Sequence, residues 1–119
     1  MSILVVDDSP IMRKLVIRSL RQAGYGDHEV VEAEDGADAL AKIEDQRPKV
    51  VLSDWNMPNM NGLELIKALR GKEIQVPFGF ITSESTADQK AAAVSAGASF
   101  LLSKPFTADE LGAQLARFL

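Results

Sequence analysis

Short apolar runs that are each followed by a polar residue constrain the fold of this chain more than any other feature. The runs cover residues 3–6, 50–52, 80–81 and 101–102, and the polar residues are Asp7 with Asp8, Asp54, Thr82 and Lys104. Continuous apolar runs bounded by loop residues are typical of strands buried on both faces. Ligands of an open α/β sheet bind at the carboxyl ends of its strands. We therefore expect these polar side chains to meet at one edge of a sheet.

A helical pattern follows each apolar run, so the chain consists of five strand-then-helix units. We predict strands at residues 3–6, 29–33, 50–54, 78–82 and 100–103, and helices after each of them. The second strand is the least apolar and is expected at the edge of the sheet. Alternating units of this kind predict an α/β fold, in which a parallel sheet carries helices on both faces.

The first helix has a clear start and one apolar stripe. Ser9 is the expected N-cap and Pro10 the first helical residue, where its missing N–H is not needed. The 3.6-residue period places the arginines, Arg13 among them, on the outer side. The inner stripe is predicted to contain Ile11, Met12, Leu15, Val16 and Leu20.

Composition excludes several classes of function. The chain has 119 residues, 46% of them hydrophobic, which suits one domain with a sizeable core. There is no Cys and only one His, which excludes disulfides, thiol catalysis, and zinc sites built from Cys or His. The net charge of −4 argues against binding to nucleic acid or to an anionic membrane.

The ends of the chain also shape the expectations. The apolar start stops at Asp7 and has no basic segment before it, so we expect no signal peptide. The absence of Cys is compatible with a reducing, cytoplasmic setting. The last helical pattern reaches the final residues, which leaves no room for an output domain. We therefore expect either that the protein works alone or that it has been cut from a larger one.

Five motifs, in this order along the chain, carry a resemblance to a known family. They are Leu4-Val5-Val6-Asp7-Asp8, the run Asp54-Trp55-Asn56-Met57-Pro58-Asn59-Met60-Asn61-Gly62, Thr82-Ser83-Glu84, Ala96-Gly97-Ala98 and Lys104-Pro105-Phe106. The chain resembles the receiver domains of two-component response regulators, most closely the stand-alone CheY-like chemotaxis type. The resemblance implies one receiver domain over residues 1–119, a flavodoxin-like (βα)5 fold and the strand order 2-1-3-4-5.

The resemblance also implies a chemistry. Asp54 would accept a phosphoryl group from the phospho-histidine of a CheA-like sensor histidine kinase, with Mg²⁺ required, and the acyl phosphate would later be hydrolysed. Mg²⁺ takes oxygen ligands and keeps several waters, so one or two carboxylates suffice. Asp8 and Asp54 are expected as direct ligands and Asp7 as a ligand through water, while the family pattern adds the backbone carbonyl of Asn56.

The remaining site residues would neutralise charge and transmit the change. Lys104 can pair with Asp54 at rest and with a phosphoryl oxygen afterwards. The Thr82 hydroxyl and the backbone N–H of Ser83 can donate to other phosphoryl oxygens. Movement of Thr82 would pull the following loop and alter the face formed by the fourth helix, fifth strand and fifth helix. The peptide between Lys104 and Pro105 is expected to be cis, as in the family.

Three positions bear on output and lifetime. The family often has Tyr or Phe three residues before the lysine, where this chain has Leu101, and Phe100 cannot replace it because side chains alternate along a strand. Asn56 and Glu84 match positions that in the family tune dephosphorylation and contact auxiliary phosphatases. We expect a monomer whose partners are the kinase and, beyond it, a flagellar switch protein or a phosphatase.

Other functions stay open. The receiver could be a phosphate sink or a relay, a pseudo-receiver that only binds, or a phosphatase with an aspartate nucleophile. Such phosphatases carry a second Asp two residues after the nucleophile, where this chain has Asn56. A pseudo-receiver would lack some of Asp7, Asp8, Asp54, Thr82 and Lys104, and all five are present.

Overall fold

Five parallel strands form one sheet in the computed structural model of the protein, which describes residues 2–119. The strands are β1 (Ser2–Val6), β2 (Glu29–Ala33), β3 (Val50–Ser53), β4 (Phe78–Thr82) and β5 (Phe100–Ser103). Their order is β2-β1-β3-β4-β5, and every neighbouring pair is parallel. The predicted flavodoxin-like α/β fold and strand order are confirmed, with the weakly apolar β2 at the edge.

Each strand is followed by the predicted helix. The helices are α1 (Pro10–Gln22), α2 (Gly36–Gln46), α3 (Gly62–Gly71), α4 (Ala87–Ser95) and α5 (Ala108–Leu115). The hydroxyl of Ser9 caps α1 by accepting a hydrogen bond from the Met12 N–H. Helices α3, α4 and α5 begin with capping boxes, which satisfy N–H groups that have no partner within the helix.

The sheet separates two apolar cores. One lies under α2, α3 and α4 and includes Leu4, Val51 and Phe80, and the other lies under α1 and α5 and includes Ile3, Leu52 and Ile81. Successive residues of a strand point to opposite faces, so a central parallel strand must be apolar throughout. This arrangement explains the continuous apolar runs of the sequence, and it leaves polar residues only where the strands end.

The apolar stripe of α1 is only partly buried, which corrects the sequence-based prediction. Val16 and Leu20 are buried, but Ile11 is 72% exposed and Leu15 is 46% exposed. The first turn of α1 begins just beyond the end of β1, so no strand lies beneath it, whereas later turns pack on the sheet. Periodicity identifies the face of a helix that is apolar, but it does not tell how much of that face is covered.

Arg13 was also predicted to point outward, and this was wrong. Its side chain is only 16% exposed because its guanidinium donates to the backbone carbonyl of Asp7 at 2.7 Å and to the Glu32 carboxylate at 2.9 Å. Arg13 therefore joins the start of α1 to the ends of β1 and β2, beside the loop that carries Asp7 and Asp8.

Candidate functional site

Three carboxylates meet at the carboxyl edge of the sheet. Asp7 and Asp8 follow β1, and Asp54 follows the neighbouring strand β3. One oxygen of each carboxylate lies within 4.8 Å of the other two. Oxygen-only donors of this kind suit a hard divalent cation such as Mg²⁺. The structure thus forms a cluster that could hold such an ion at the predicted place.

Lys104 brings a positive charge to the same cluster from the end of β5. Its Nζ atom lies 3.2 Å from Oδ2 of Asp7 and 3.6 Å from Oδ1 of Asp54. Lys104 therefore pairs with Asp54, as expected, but it also pairs with Asp7, and its contact with Asp7 is the shorter of the two. The peptide between Lys104 and Pro105 is cis, as expected.

Asp7 and Asp8 differ in their surroundings. Asp7 is buried, and its two oxygens accept from the Ser9 N–H at 2.9 Å and from Lys104. Asp8 is exposed to solvent. Because protein donors already engage both oxygens of Asp7, Asp8 is the freer of the two to take a direct place on a cation.

Asp54 is partly buried among charged and polar groups. Its side chain is 15% exposed, and its Oδ1 accepts from the Trp55 N–H at 2.8 Å. Burial raises the pKa of Asp54, Lys104 and the Trp55 N–H oppose that rise, and the charges of Asp7 and Asp8 add to it. A cation bound among the carboxylates would favour the ionised form of Asp54.

Thr82 lies at the end of β4 with its hydroxyl turned toward the following loop. Its side chain is fully buried, and Oγ1 accepts from the Glu84 N–H at 3.2 Å. Its own O–H remains able to donate. Ser83 is exposed, and the Glu84 carboxylate accepts from Gln89 of α4 at 3.3 Å. A change at Thr82 thus has a short route to α4.

The loop between β3 and α3 is closed tightly around Asp54. Trp55 points away from the carboxylates and packs on Phe80, with ring centroids 4.6 Å apart. The Gly62 N–H donates to the Trp55 carbonyl at 2.9 Å. A Cβ atom at Gly62 would lie 2.3 Å from the Asp54 carbonyl oxygen, so only glycine allows α3 to begin this close to Asp54. Asn56 is exposed in the same loop.

Leu101 and Phe100 lie on opposite faces of the sheet, as alternation predicted. Leu101 is half-buried and packs against the core under α4. Phe100 belongs to the other core and covers Gly79 of β4, where a Cβ atom would lie 2.0 Å from its ring. The position under α4 therefore carries an aliphatic side chain, and the aromatic ring of Phe100 does not substitute for it.

Comparison with known proteins identifies the family. The family model described as the response regulator receiver domain matches residues 3–116. The chain belongs to the response regulator receiver domain family. The receiver is 40% identical to chemotaxis protein CheY1 of Helicobacter pylori over 118 residues, which cover 97% of this chain and 94% of that protein. It is 42% identical to the CheY homolog of Campylobacter jejuni over 120 residues, covering 97% and 89%.

Solved structures give the same result. Chemotaxis protein CheY4 of Vibrio cholerae superposes with a TM-score of 0.87 at 38% identity, covering 99% of the receiver and 98% of that chain. The receiver is thus a component of phosphorylation-based two-component signalling. CheY-like receivers take phosphate from histidine kinases such as CheA, and the family uses Mg²⁺. Within residues 2–119, no helix has both the length and the apolar character needed to cross a membrane.

Two contacts of the site had no counterpart in the sequence analysis. Arg13 donates to the Asp7 carbonyl, and Asn59 donates to the Asp35 carboxylate across two loops. Asp35 could have been identified as a helix N-cap, since it precedes the helical pattern at Gly36. Neither partner could be found from sequence, because each contact joins elements that only the folded chain brings together.

Proposed function

We propose that this receiver is a Mg²⁺-dependent phosphoacceptor switch in which Asp54 is phosphorylated by a CheA-like sensor histidine kinase. The observation that carries the proposal is the cluster of Asp7, Asp8 and Asp54 beside Lys104. A partly buried carboxylate next to a cation site and a lysine suits phosphoryl transfer, which depends on positioning and on neutralising charge.

The donor set fits Mg²⁺. The carboxylates of Asp8 and Asp54 and the backbone carbonyl of Asn56 would hold the ion, and Asp7 would act through water. When bound, Mg²⁺ supplies positive charge against the phosphoryl oxygens and against the mutually repelling carboxylates. Burial, and to a smaller extent the charges of Asp7 and Asp8, raise the pKa of Asp54, so positive charge placed beside it would favour the ionised nucleophile.

The residues of the chain would divide the remaining work. A carboxylate oxygen of Asp54 attacks the phosphorus, and the bond between phosphorus and the donor histidine nitrogen breaks as the new oxygen–phosphorus bond forms. Lys104 would move from its contacts with Asp7 and Asp54 to a phosphoryl oxygen. The Thr82 hydroxyl and the Ser83 N–H would donate to the others. Water later attacks the phosphorus, the bond between phosphorus and the Asp54 oxygen breaks, and inorganic phosphate leaves with the carboxylate restored. The receiver would thus catalyse both steps on itself.

The output would follow from Thr82. Its hydroxyl now accepts from the Glu84 N–H, and Glu84 contacts Gln89 of α4. Drawing Thr82 toward a phosphoryl group would change this loop and so the face formed by α4, β5 and α5. We propose that this face binds a flagellar switch protein, in chemotaxis or control of the flagellar motor, and that Asn56 and Glu84 set the dephosphorylation rate and contact any phosphatase.

Leu101 favours a second candidate. An aliphatic, half-buried side chain lies where the family often has an aromatic switch residue, which would weaken the coupling of Thr82 to the output face. The receiver would then act as a phosphate sink or relay that still accepts phosphate at Asp54. Binding of the phosphorylated receiver to a flagellar switch peptide distinguishes the two. In either case we propose a cytoplasmic monomer that binds neither nucleic acid nor membranes.

Fluorescence of Trp55 tests the proposal directly. Trp55 is the only tryptophan, and its backbone N–H donates to the Asp54 carboxylate. We expect a change on adding Mg²⁺ and a further change on adding beryllofluoride, a phosphoryl mimic, in the wild type but no second change in Asp54→Asn. A folded wild-type protein that shows neither response and takes up no phosphoryl group from acetyl phosphate would contradict the proposal and leave a pseudo-receiver. Repeated turnover on small phosphate esters would instead indicate a phosphatase.

A further inference from the structure

The loop that carries Asn56 is tied to the start of α2, and this connection suggests a role for residues outside the carboxylate cluster. Asn59 lies three residues after Asn56 in the loop between β3 and α3. Its side-chain amide donates to Oδ2 of Asp35 at 2.8 Å, although the two residues are 24 apart in sequence. Next to this contact, the Gly36 N–H donates to the Met60 carbonyl at 2.9 Å.

Three residues have conformations or contacts that suit the connection between this loop and α2. Asp35 is buried and uses its other oxygen, Oδ1, to cap α2 by accepting from the Asp38 N–H at 2.8 Å. Asn59 has a φ of 65°, a left-handed conformation that Asn tolerates better than most residues. A Cβ atom at Gly36 would lie 2.6 Å from the Met60 carbonyl oxygen, so the approach of the loop to α2 requires glycine there.

The rest of the loop is held in a different way. Asn56, Pro58 and Asn59 are exposed, whereas Met57 and Met60 are half-buried and pack against the core under α2, α3 and α4. The loop is also held where it begins at Asp54 and where α3 begins at Gly62. A cleft of about 340 Å³ lies between the two loops and is lined by Asp8, Glu34, Asp35, Pro58 and Asn59. The contact between Asp35 and Asn59 is therefore on the wall of the space that opens beside Asp8.

We propose that Asp35 and Asn59 are positioning residues for Mg²⁺, because their hydrogen bond holds the loop that presents the Asn56 carbonyl. This inference rests on the proposed function, and it adds that the start of α2 sets the affinity for the ion. Groups that orient metal ligands without touching the metal change affinity by about 10- to 100-fold when they are removed. The Asn59 amide itself touches neither the ion nor the phosphoryl group.

Asn59→Gly is the sharpest variant. Glycine adopts a φ of 65° without strain, so the change removes the hydrogen bond and leaves the backbone conformation available. Arg47→Gly is the matched control, because Arg47 has a φ of 48° at the opposite end of the same helix. The double variant of Asp35→Asn with Asn59→Asp keeps one amide, one carboxylate and one cap, and it reverses the direction of the hydrogen bond.

The experiment measures the Mg²⁺ dissociation constant of the full chain from Trp55 fluorescence, with calorimetry as a second readout. Asn59→Gly is expected to weaken binding about tenfold and to leave the phosphorylation rate at saturating Mg²⁺ near that of the wild type. Arg47→Gly should bind as the wild type does, and the double variant should recover most of the lost affinity.

Two results would overturn the inference. One is a wild-type dissociation constant in Asn59→Gly. The other is an equal loss of affinity in Arg47→Gly, which would indicate general destabilisation. Failure of the wild-type chain to bind Mg²⁺ at all would overturn the proposed function, and this inference with it, and is distinguished by the wild-type titration alone.

Discussion

The start of α3 presses against the backbone of Asp54, so an added methyl group there should damage both stability and chemistry. In Gly62→Ala the new Cβ would lie 2.3 Å from the Asp54 carbonyl oxygen and 2.8 Å from Cε1 of Phe80. Contacts below 3.0 Å are essentially never seen, so the carbonyl and α3 must separate by at least 0.7 Å, the difference between 3.0 and 2.3 Å. The obstacle is backbone, which gives way less easily than a side chain.

The expected loss is large for a single methyl group. Overpacking a well-packed site usually lowers stability by about 1–3 kcal/mol, and we place Gly62→Ala at the upper end. A misplacement of about 1 Å at a reacting group can slow a reaction about 10²-fold. We therefore expect Gly62→Ala to lose about 3 kcal/mol of unfolding free energy and to be phosphorylated far more slowly by acetyl phosphate.

The same substitution at the other end of the helix is the control. A Cβ atom at Gly71 would meet nothing within 4 Å, and Gly71 is the last residue of α3, where alanine has the higher helix propensity. Gly71→Ala should raise stability by about 0.5 kcal/mol and leave phosphorylation unchanged. Urea unfolding in metal-free buffer measures both variants. Equal stabilities for the two variants, or normal phosphorylation of Gly62→Ala, would refute the reasoning.

Three further predictions concern charge in the carboxylate cluster. Burial raises the pKa of Asp54, so the stability that its protonated form provides is present below pH 3.8 and is lost as the pH rises through the folded pKa. In metal-free buffer, the melting temperature of Asp54→Asn should therefore exceed that of the wild type at pH 7, and the difference should disappear in acid. Mg²⁺ at 100 times its dissociation constant should stabilise the wild type by about 2.7 kcal/mol in urea unfolding, and the same concentration should stabilise Asp54→Asn much less. Lys104→Met should slow phosphorylation by acetyl phosphate about 10²-fold, measured by stopped-flow fluorescence; an unchanged rate would contradict a role on the phosphoryl group.

The strands, the helices and the edge position of β2 could be predicted because burial leaves a strong pattern in the sequence, whereas the full strand order was implied by the family resemblance. A central parallel strand such as β3 is covered on both faces, so it is apolar throughout and stops at a polar residue. Residues such as Ser9 and Thr107 mark helix starts because their side chains satisfy free N–H groups. The meeting of Asp7, Asp8 and Asp54 follows from the same logic, since parallel strands end at one edge.

Several details of packing between different elements could not be predicted. The inward turn of Arg13, the exposure of Ile11 and the shorter distance of Lys104 to Asp7 than to Asp54 all depend on how far one element extends past another. The hydrogen bond between Asp35 and Asn59 joins two loops and has no periodic pattern. Such details arise from tertiary packing, which local sequence patterns do not encode.

The most direct test of the central claim is to locate the phosphoryl group. The receiver is incubated with acetyl phosphate in the presence and absence of Mg²⁺, the acyl phosphate is reduced with borohydride, and the modified residue is identified by peptide mass spectrometry. The account predicts modification at Asp54 that depends on Mg²⁺ and is absent from Asp54→Asn. Modification at another residue, or equal modification without Mg²⁺, would contradict it.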